Sequence, residues 1–189
     1  MKLSNFEYIS WEKLHQLCFE LAERIQKRNH GFDKIVAISR SGLVVARILS
    51  DFLQLPISHM TIVAYQEIGE SNKPLITEGI SVGVAGNKLL LVDEIVDKGR
   101  TLIRAKNYLA NFGPKSIYAA VPIVKPLAQI KPDFSVYETD KWVIFPYEVK
   151  ETIGQLVQKW QEKGYSHKEV THALRQLGFA KKIRVIVNI

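Results

Sequence analysis

The sequence predicts an α/β protein: a parallel sheet covered by helices on both faces. Three observations carry that expectation. Strand-like and helix-like segments alternate at the spacing of βαβ units. The strand segments KIVAIS and KLLLV are continuously apolar, as strands buried on both faces are, and lack the alternation of a half-solvated sheet. The chain of 189 residues is 47% hydrophobic and 24% charged, which supplies one sizeable core and argues against disorder.

Taken in order, 10–28 reads as a helix with Leu14, Leu17, Cys18, Leu21 and Ile25 on one face and Ser10 as its N-cap. Asn29-His30-Gly31 ends it. Residues 34–39 form a short β-branched strand, 42–53 a helix broken by Leu55-Pro56, and 57–65 a second strand. A polar, glycine-bearing loop at 66–73 and a hairpin arm at 75–84 follow. Then come a buried strand at 88–92, a helix at 101–112 stopped by Gly113-Pro114, and a strand at 116–124. Short strands are expected at 134–138 and 142–145. The last forty residues offer an amphipathic helix at 151–163 and a second helix from the Ser166/Glu169 capping box to about 177. The terminal KIRVIVNI, 182–189, is β-prone. Two apolar helix faces must be buried on the core or on a second subunit, so the expected organisation is a main domain at 1–148 and an extension at 149–189.

Composition narrows the function classes. No apolar run approaches a membrane span, and the N-terminus MKLSNFEYISWEKL does not read as a secretory signal. The single cysteine, Cys18, lies in an apolar helix stripe and reads as a core thiol in a reducing, cytoplasmic setting. The net charge is +7, and residues 150–189 hold eight Lys/Arg against three Glu. That tail reads as a solvated basic face in preference to a nucleic-acid surface. There is no Walker loop, dinucleotide glycine fingerprint, catalytic triad signature or metal-ligand spacing among the histidines.

The chemistry concentrates in LLLVDEIVDKGRTL, 89–102. An apolar strand runs into Asp93 and Glu94, Asp97 follows, and then comes Lys98-Gly99-Arg100-Thr101. The carboxylates suit hydroxyls or a cation. The turn, with backbone N–H groups, the Thr101 hydroxyl and a helix N-terminus, suits a phosphate. Gly99 allows close backbone approach. The acid pair is able to hold two ribose hydroxyls or to bind Mg²⁺ through water. The plain alternative is a capping turn with solvated acids, but the combination is more specific than a lone glycine turn. A second strand end carries Ser39-Arg40-Ser41-Gly42, a smaller anion-binding signal.

VDEIVDKGRTL resembles the ribose-phosphate signature of the type I phosphoribosyltransferases, and SRSGLV is similar to their pyrophosphate loop. The resemblance covers about 30–148 and implies the type I fold with a small hood, the C-terminal helices lying outside it. It further implies that Asp93 and Glu94 engage the ribose hydroxyls of phosphoribosyl pyrophosphate and hold Mg²⁺, and that Lys98, Gly99, Arg100 and Thr101 wrap the 5′-phosphate. Asp97 is implied as the catalytic acid–base beside the purine N7, and Arg40 as the pyrophosphate clamp, with Ser41 and Gly42 bringing backbone amides to it. A cis peptide between Ser39 and Arg40 is implied as well. Two departures are Lys98, where the family more often has Thr or Ser, and Glu94 in place of Asp.

VKP at 124–126 and YETDKWVIFPY at 137–147 resemble the base-recognition segments of the xanthine–guanine and hypoxanthine–guanine enzymes. There a lysine like Lys125 donates to the 6-oxo group and an aromatic like Trp142 stacks on the ring, while the backbone of Val143 reads the pyrimidine edge. Lysine is a donor only, which selects a carbonyl over an amine. The function so implied is Mg²⁺-dependent transfer of a phosphoribosyl group to a 6-oxopurine in purine salvage, by a homodimer or larger homo-oligomer with no membrane partner. Two rivals stand beside it. One is a regulator of this fold that binds without turnover and uses the basic tail on nucleic acid or a partner. The other is an enzyme for adenine or a pyrimidine. Arg40 and Asp97 favour turnover; Lys98 and the tail keep the regulator in play.

Overall fold

The structure, a computed structural model, describes residues 3–64 and 74–179. The expected loop at 66–73 and the β-prone segment at 182–189 lie outside the described residues. The chain divides into two compact units, one of residues 15–139 and one combining 1–14 with 140–189.

The larger unit is built on a five-stranded sheet ordered β4-β3-β2-β5-β7. Its strands are β2 (Lys34–Ser39), β3 (Ile57–Ala64), β4 (Pro74–Glu78), β5 (Lys88–Val92) and β7 (Ser116–Ala120). All pairings are parallel except β3 with β4, the edge arm. As expected, the sheet is buried on both sides. On one face Val36, Ile38, Met60, Leu89 and Leu91 meet Leu102, Ala105 and Leu109 of α3 (Arg100–Ala110). On the other, Ile35, Ala37, Leu90 and Val92 are buried, and α2 (Gly42–Leu53) packs on β2, β3 and β5. The helix α1 (Trp11–Arg28) buries its expected stripe of Leu14, Leu17, Cys18, Leu21 and Ile25, and its Phe19 ring meets Phe52 of α2 edge-on. Ser10 caps it, accepting from the Lys13 amide at 3.1 Å. Burial pushes the Cys18 thiol up to about 12, so it is inert at neutral pH.

Several expectations need correction. The strand expected at 116–124 is two strands. After β7 the chain leaves the main sheet at Val121-Pro122 and re-forms as β8 (Ile123–Val124). Proline has no N–H to offer the ladder, and its carbonyl is instead taken by the Tyr137 amide at 3.0 Å. As expected β5 ends before the acids, but Ile95–Val96, left unassigned between the acids and the turn, forms a strand, β6. These pair with β9 (Tyr137–Glu138) in a small parallel sheet, β6-β8-β9. The strand expected from 134 begins only at Tyr137; Phe134 makes an isolated bridge to Ala120. The hairpin arm is shorter than expected, ending at Glu78, and α3 begins at Arg100, one residue early.

In the smaller unit, β1 (Phe6–Tyr8), not expected from sequence, pairs in parallel with β10 (Trp142–Ile144). The helices α4 (Val149–Glu162) and α5 (His167–Gln176) bury Ile153, Leu156, Trp160, Val170 and Leu174 in one cluster with Ile144, Phe6 and Tyr8. The capping box of α5 is formed: the Ser166 hydroxyl accepts from the Glu169 amide, and Glu169 accepts from the Ser166 amide at 2.8 Å. The two apolar faces thus find their partner in the β1–β10 pair of their own chain.

Candidate active site

Neighbouring strands β5 and β7 both leave the main sheet at the same level and continue as β6 and β8. The step between the two sheets falls at Asp93-Glu94. Parallel strands present their carboxyl ends together, so β2 delivers Ser39-Arg40-Ser41-Gly42 beside this step. The register Ala37↔Val92 sets the match.

Ser39–Arg40 is a cis peptide, as the family resemblance implied. The loop then turns into α2, with Leu43 N donating to Arg40 O at 3.1 Å and Val44 N to Ser41 O at 3.2 Å. Gly42 is wedged against the acid step. A Cβ there would stand 2.8 Å from the Val92 carbonyl oxygen, 3.1 Å from Asp93 Cα and 3.2 Å from Asp93 Oδ1. Only glycine lets the Arg40 loop and the acid pair touch. Arg40 itself is exposed and Ser41 half-buried.

Asp93 is 9% exposed, and its Oδ1 accepts from the Glu94 amide at 3.0 Å. Glu94 Oε2 is buried without a hydrogen-bond partner. Burial raises the Asp93 carboxyl above its ordinary range. Glu94 is pushed further, first by burial and then by the Asp93 charge, with the Ser41 side chain pulling weakly the other way. Two adjacent carboxylates with an orphaned oxygen want a cation or hydroxyl donors. Among the described residues no third His, Cys, Asp or Glu joins them as a metal cluster.

The folded chain without ligand therefore holds this proton more tightly than the unfolded chain does. Its contribution to stability is whole below the ordinary carboxylate value of 4.5 and is lost as pH rises through the raised one. Glu94→Gln is expected to flatten that decline and to raise the ligand-free melting temperature at alkaline pH. Melting curves measured from about pH 5 to pH 8 check this; wild type and variant falling in parallel would remove the assignment.

Beyond β6, Asp97 and Lys98 are exposed, and Gly99 adopts φ +86, a left-handed conformation that glycine takes at no steric cost. Gly99 is the N-cap of α3 and no side chain caps the helix, so the first-turn amides point to whatever sits in the turn. Arg100 and Thr101, half-buried, open the helix. Lys125 follows β8. Its amide donates to Val96 O at 2.8 Å, which sets it beside Asp97. The expected residues Arg40, Ser41, Gly42, Asp93, Glu94, Asp97, Lys98, Gly99, Arg100, Thr101 and Lys125 thus all lie in the larger unit, at the carboxyl ends of β2, β5, β6 and β8. Trp142 and Val143 belong to the smaller unit, on β10, where Trp142 is 55% exposed and Val143 is buried. Sequence reasoning missed the segment 129–130, which backs the Gly99 turn: Gln129 N donates to Lys98 O at 3.2 Å, and a Cβ on Gly99 would collide with the Ile130 side chain. The stretch AQIKP offers no signal of that role.

An acid pair, a glycine turn at a helix start and a basic loop thus gather at the carboxyl ends of a largely parallel sheet, groups chemically suited to a phosphorylated sugar. The chain belongs to the phosphoribosyltransferase family: the model of the phosphoribosyl transferase domain matches residues 7–152. It is 31% identical over 150 residues to a xanthine-guanine phosphoribosyltransferase of Idiomarina loihiensis, covering 77% of this chain and 89% of that protein. It is 29% identical over 148 residues to the Gluconobacter oxydans xanthine-guanine phosphoribosyltransferase, covering 76% of this chain and 85% of the other. Among solved structures it matches a purine phosphoribosyltransferase of Pyrococcus horikoshii with TM-score 0.68 and 30% identity, over 76% of this chain and 94% of that one.

Proposed function

We propose that this protein transfers the 5-phosphoribosyl group of phosphoribosyl pyrophosphate to N9 of a 6-oxopurine, releasing pyrophosphate, with Mg²⁺ as cofactor. The observation that carries the reading is the junction of Gly42 with Asp93, which sets the Arg40 loop against a buried acid pair that the short strand β6 links to the Gly99 turn. The xanthine-guanine relatives support the choice of base.

The acid pair fits the cofactor. Mg²⁺ is commonly held by one or two carboxylates, water and substrate oxygens, so the lack of a third acid among the described residues is no obstacle. Asp93 and Glu94 would hold it, directly or through water, and bound there it supplies positive charge to the departing pyrophosphate. Asp93 and Glu94 also accept from the ribose hydroxyls. Arg40 and the amides of Ser41 and Gly42 take the pyrophosphate. The Gly99 turn, with Lys98, Arg100 and Thr101, fixes the 5′-phosphate. With both ends anchored, C1 is held for attack by N9 as the bond to pyrophosphate breaks, through an oxocarbenium-like transition state. Asp97 takes part in proton transfer at N7, and the Lys125 ammonium donates to the 6-oxo group. For Trp142, its exposure in its own unit and the sequence resemblance support stacking on the base; Val143 offers its backbone.

The test is pyrophosphate release from phosphoribosyl pyrophosphate and Mg²⁺ with a panel of bases. Hypoxanthine, guanine or xanthine is expected to turn over at least about tenfold faster than adenine, because adenine leaves the donor-only lysine facing an amine. Equal rates on adenine and hypoxanthine overturn the base assignment; no release with any base overturns the enzyme reading.

A further inference from the structure

Asp97 sits between two backbone hydrogen bonds that arrive from one short segment. Lys125 N reaches Val96 O at 2.8 Å on one side, and Gln129 N reaches Lys98 O at 3.2 Å on the other. The segment between them is closed by Ala128 N donating to Lys125 O at 3.1 Å. In a planar trans peptide the carbonyl and the following N–H point in opposite directions. Tying the Lys98 carbonyl to Gln129 therefore aims the Gly99 N–H away from residues 125–130. Ile130 completes the contact. Its side chain occupies the space a Cβ on Gly99 would need, and its backbone N and O lie 3.4 Å from that point. Ile130 is partly buried and packs against the core cluster that includes Val96 and Leu102, so it is anchored from behind. Gly99 in turn holds the helix start, its carbonyl accepting from Ile103 N at 3.0 Å.

We propose that Ile130 is a positioning residue for the phosphate turn: it and the Gln129–Lys98 hydrogen bond form a clasp that holds the left-handed Gly99 peptide with its N–H presented to the 5′-phosphate. The inference rests on the proposed function and adds to it a residue about thirty positions away from the signature motif. Ile130 acts through the turn it backs. A turn that leads in through exposed Asp97 and Lys98 to a glycine has many conformations open to it, and the clasp selects one before the ligand arrives. Preorganisation of this kind is felt as affinity at the anchored group.

The experiment measures, by calorimetry in Mg²⁺, the affinities of ribose 5-phosphate, which reports the phosphate turn, and of inorganic pyrophosphate, which reports the Arg40 loop. Wild type, Ile130→Ala and Ile130→Val are compared, with circular dichroism to verify the fold. Ile130→Ala is expected to weaken ribose 5-phosphate about tenfold or more while pyrophosphate stays within about twofold, and Ile130→Val to restore most of the loss. If Ile130→Ala does not fold, the milder Ile130→Val carries the test through the same selective loss at smaller size. Unchanged ribose 5-phosphate affinity, or equal loss of both ligands, overturns the clasp and leaves the functional reading standing. Wild type binding neither ligand overturns that reading, and the clasp with it.

Discussion

Asp97→Asn is expected to lose about 10²–10⁴-fold in kcat, the usual worth of general acid–base help, while phosphoribosyl pyrophosphate still binds. The substitution keeps shape and removes only the charge and the proton capacity. Its neighbours Val96 and Lys98 are tied by backbone hydrogen bonds to Lys125 and Gln129, so the exchange leaves the loop in place. Steady-state kinetics on the preferred base, paired with calorimetry of the sugar substrate, separate the two effects. A variant within a few-fold of wild type in kcat would remove Asp97 from the chemistry, and one that no longer binds would make it a binding residue.

Gly42→Ala is expected to lower kcat/KM by about 10²-fold and to cost roughly 1–3 kcal/mol of stability. The added methyl would stand 2.8 Å from the Val92 carbonyl oxygen and 3.1 Å from Asp93 Cα. Those atoms belong to the end of a central strand, so the anion loop must move and the acid pair with it. Binding of phosphoribosyl pyrophosphate and thermal melting, measured together, check both parts. An alanine variant with unchanged affinity and melting temperature would show that the junction is looser than its geometry.

How much was legible in the sequence depends on how local the cause was. The strand-then-acids-then-turn order of LLLVDEIVDKGRTL placed Asp93 and Glu94 just past β5 and Asp97 to Gly99 before α3, missing only that Arg100 already opens the helix, because side-chain type, glycine and hydrophobic run are properties of neighbours in the chain. The same holds for the Ser10 cap, the Ser166/Glu169 box and the buried stripe that absorbed Cys18. The small sheet β6-β8-β9 was not legible. Two-residue strands carry no periodicity, and their pairing follows from where β5 and β7 abandon the main sheet.

The residue types themselves determined the parallel sheet, the positions of its principal strands and helices, and which side chains are chemically suited to anions and hydroxyls. Continuous apolar runs, caps and glycine turns express these directly. The tertiary structure alone decided what those groups meet. The parallel register of β2 and β5 brought Gly42 against Asp93, about fifty residues on. Burial at the step between two sheets left Glu94 Oε2 without a partner and pushed its carboxyl well above the ordinary range. Packing of residues 125–130 set Ile130 behind Gly99. Distance in sequence hides such contacts, because register and desolvation arise only when separate segments exclude water together.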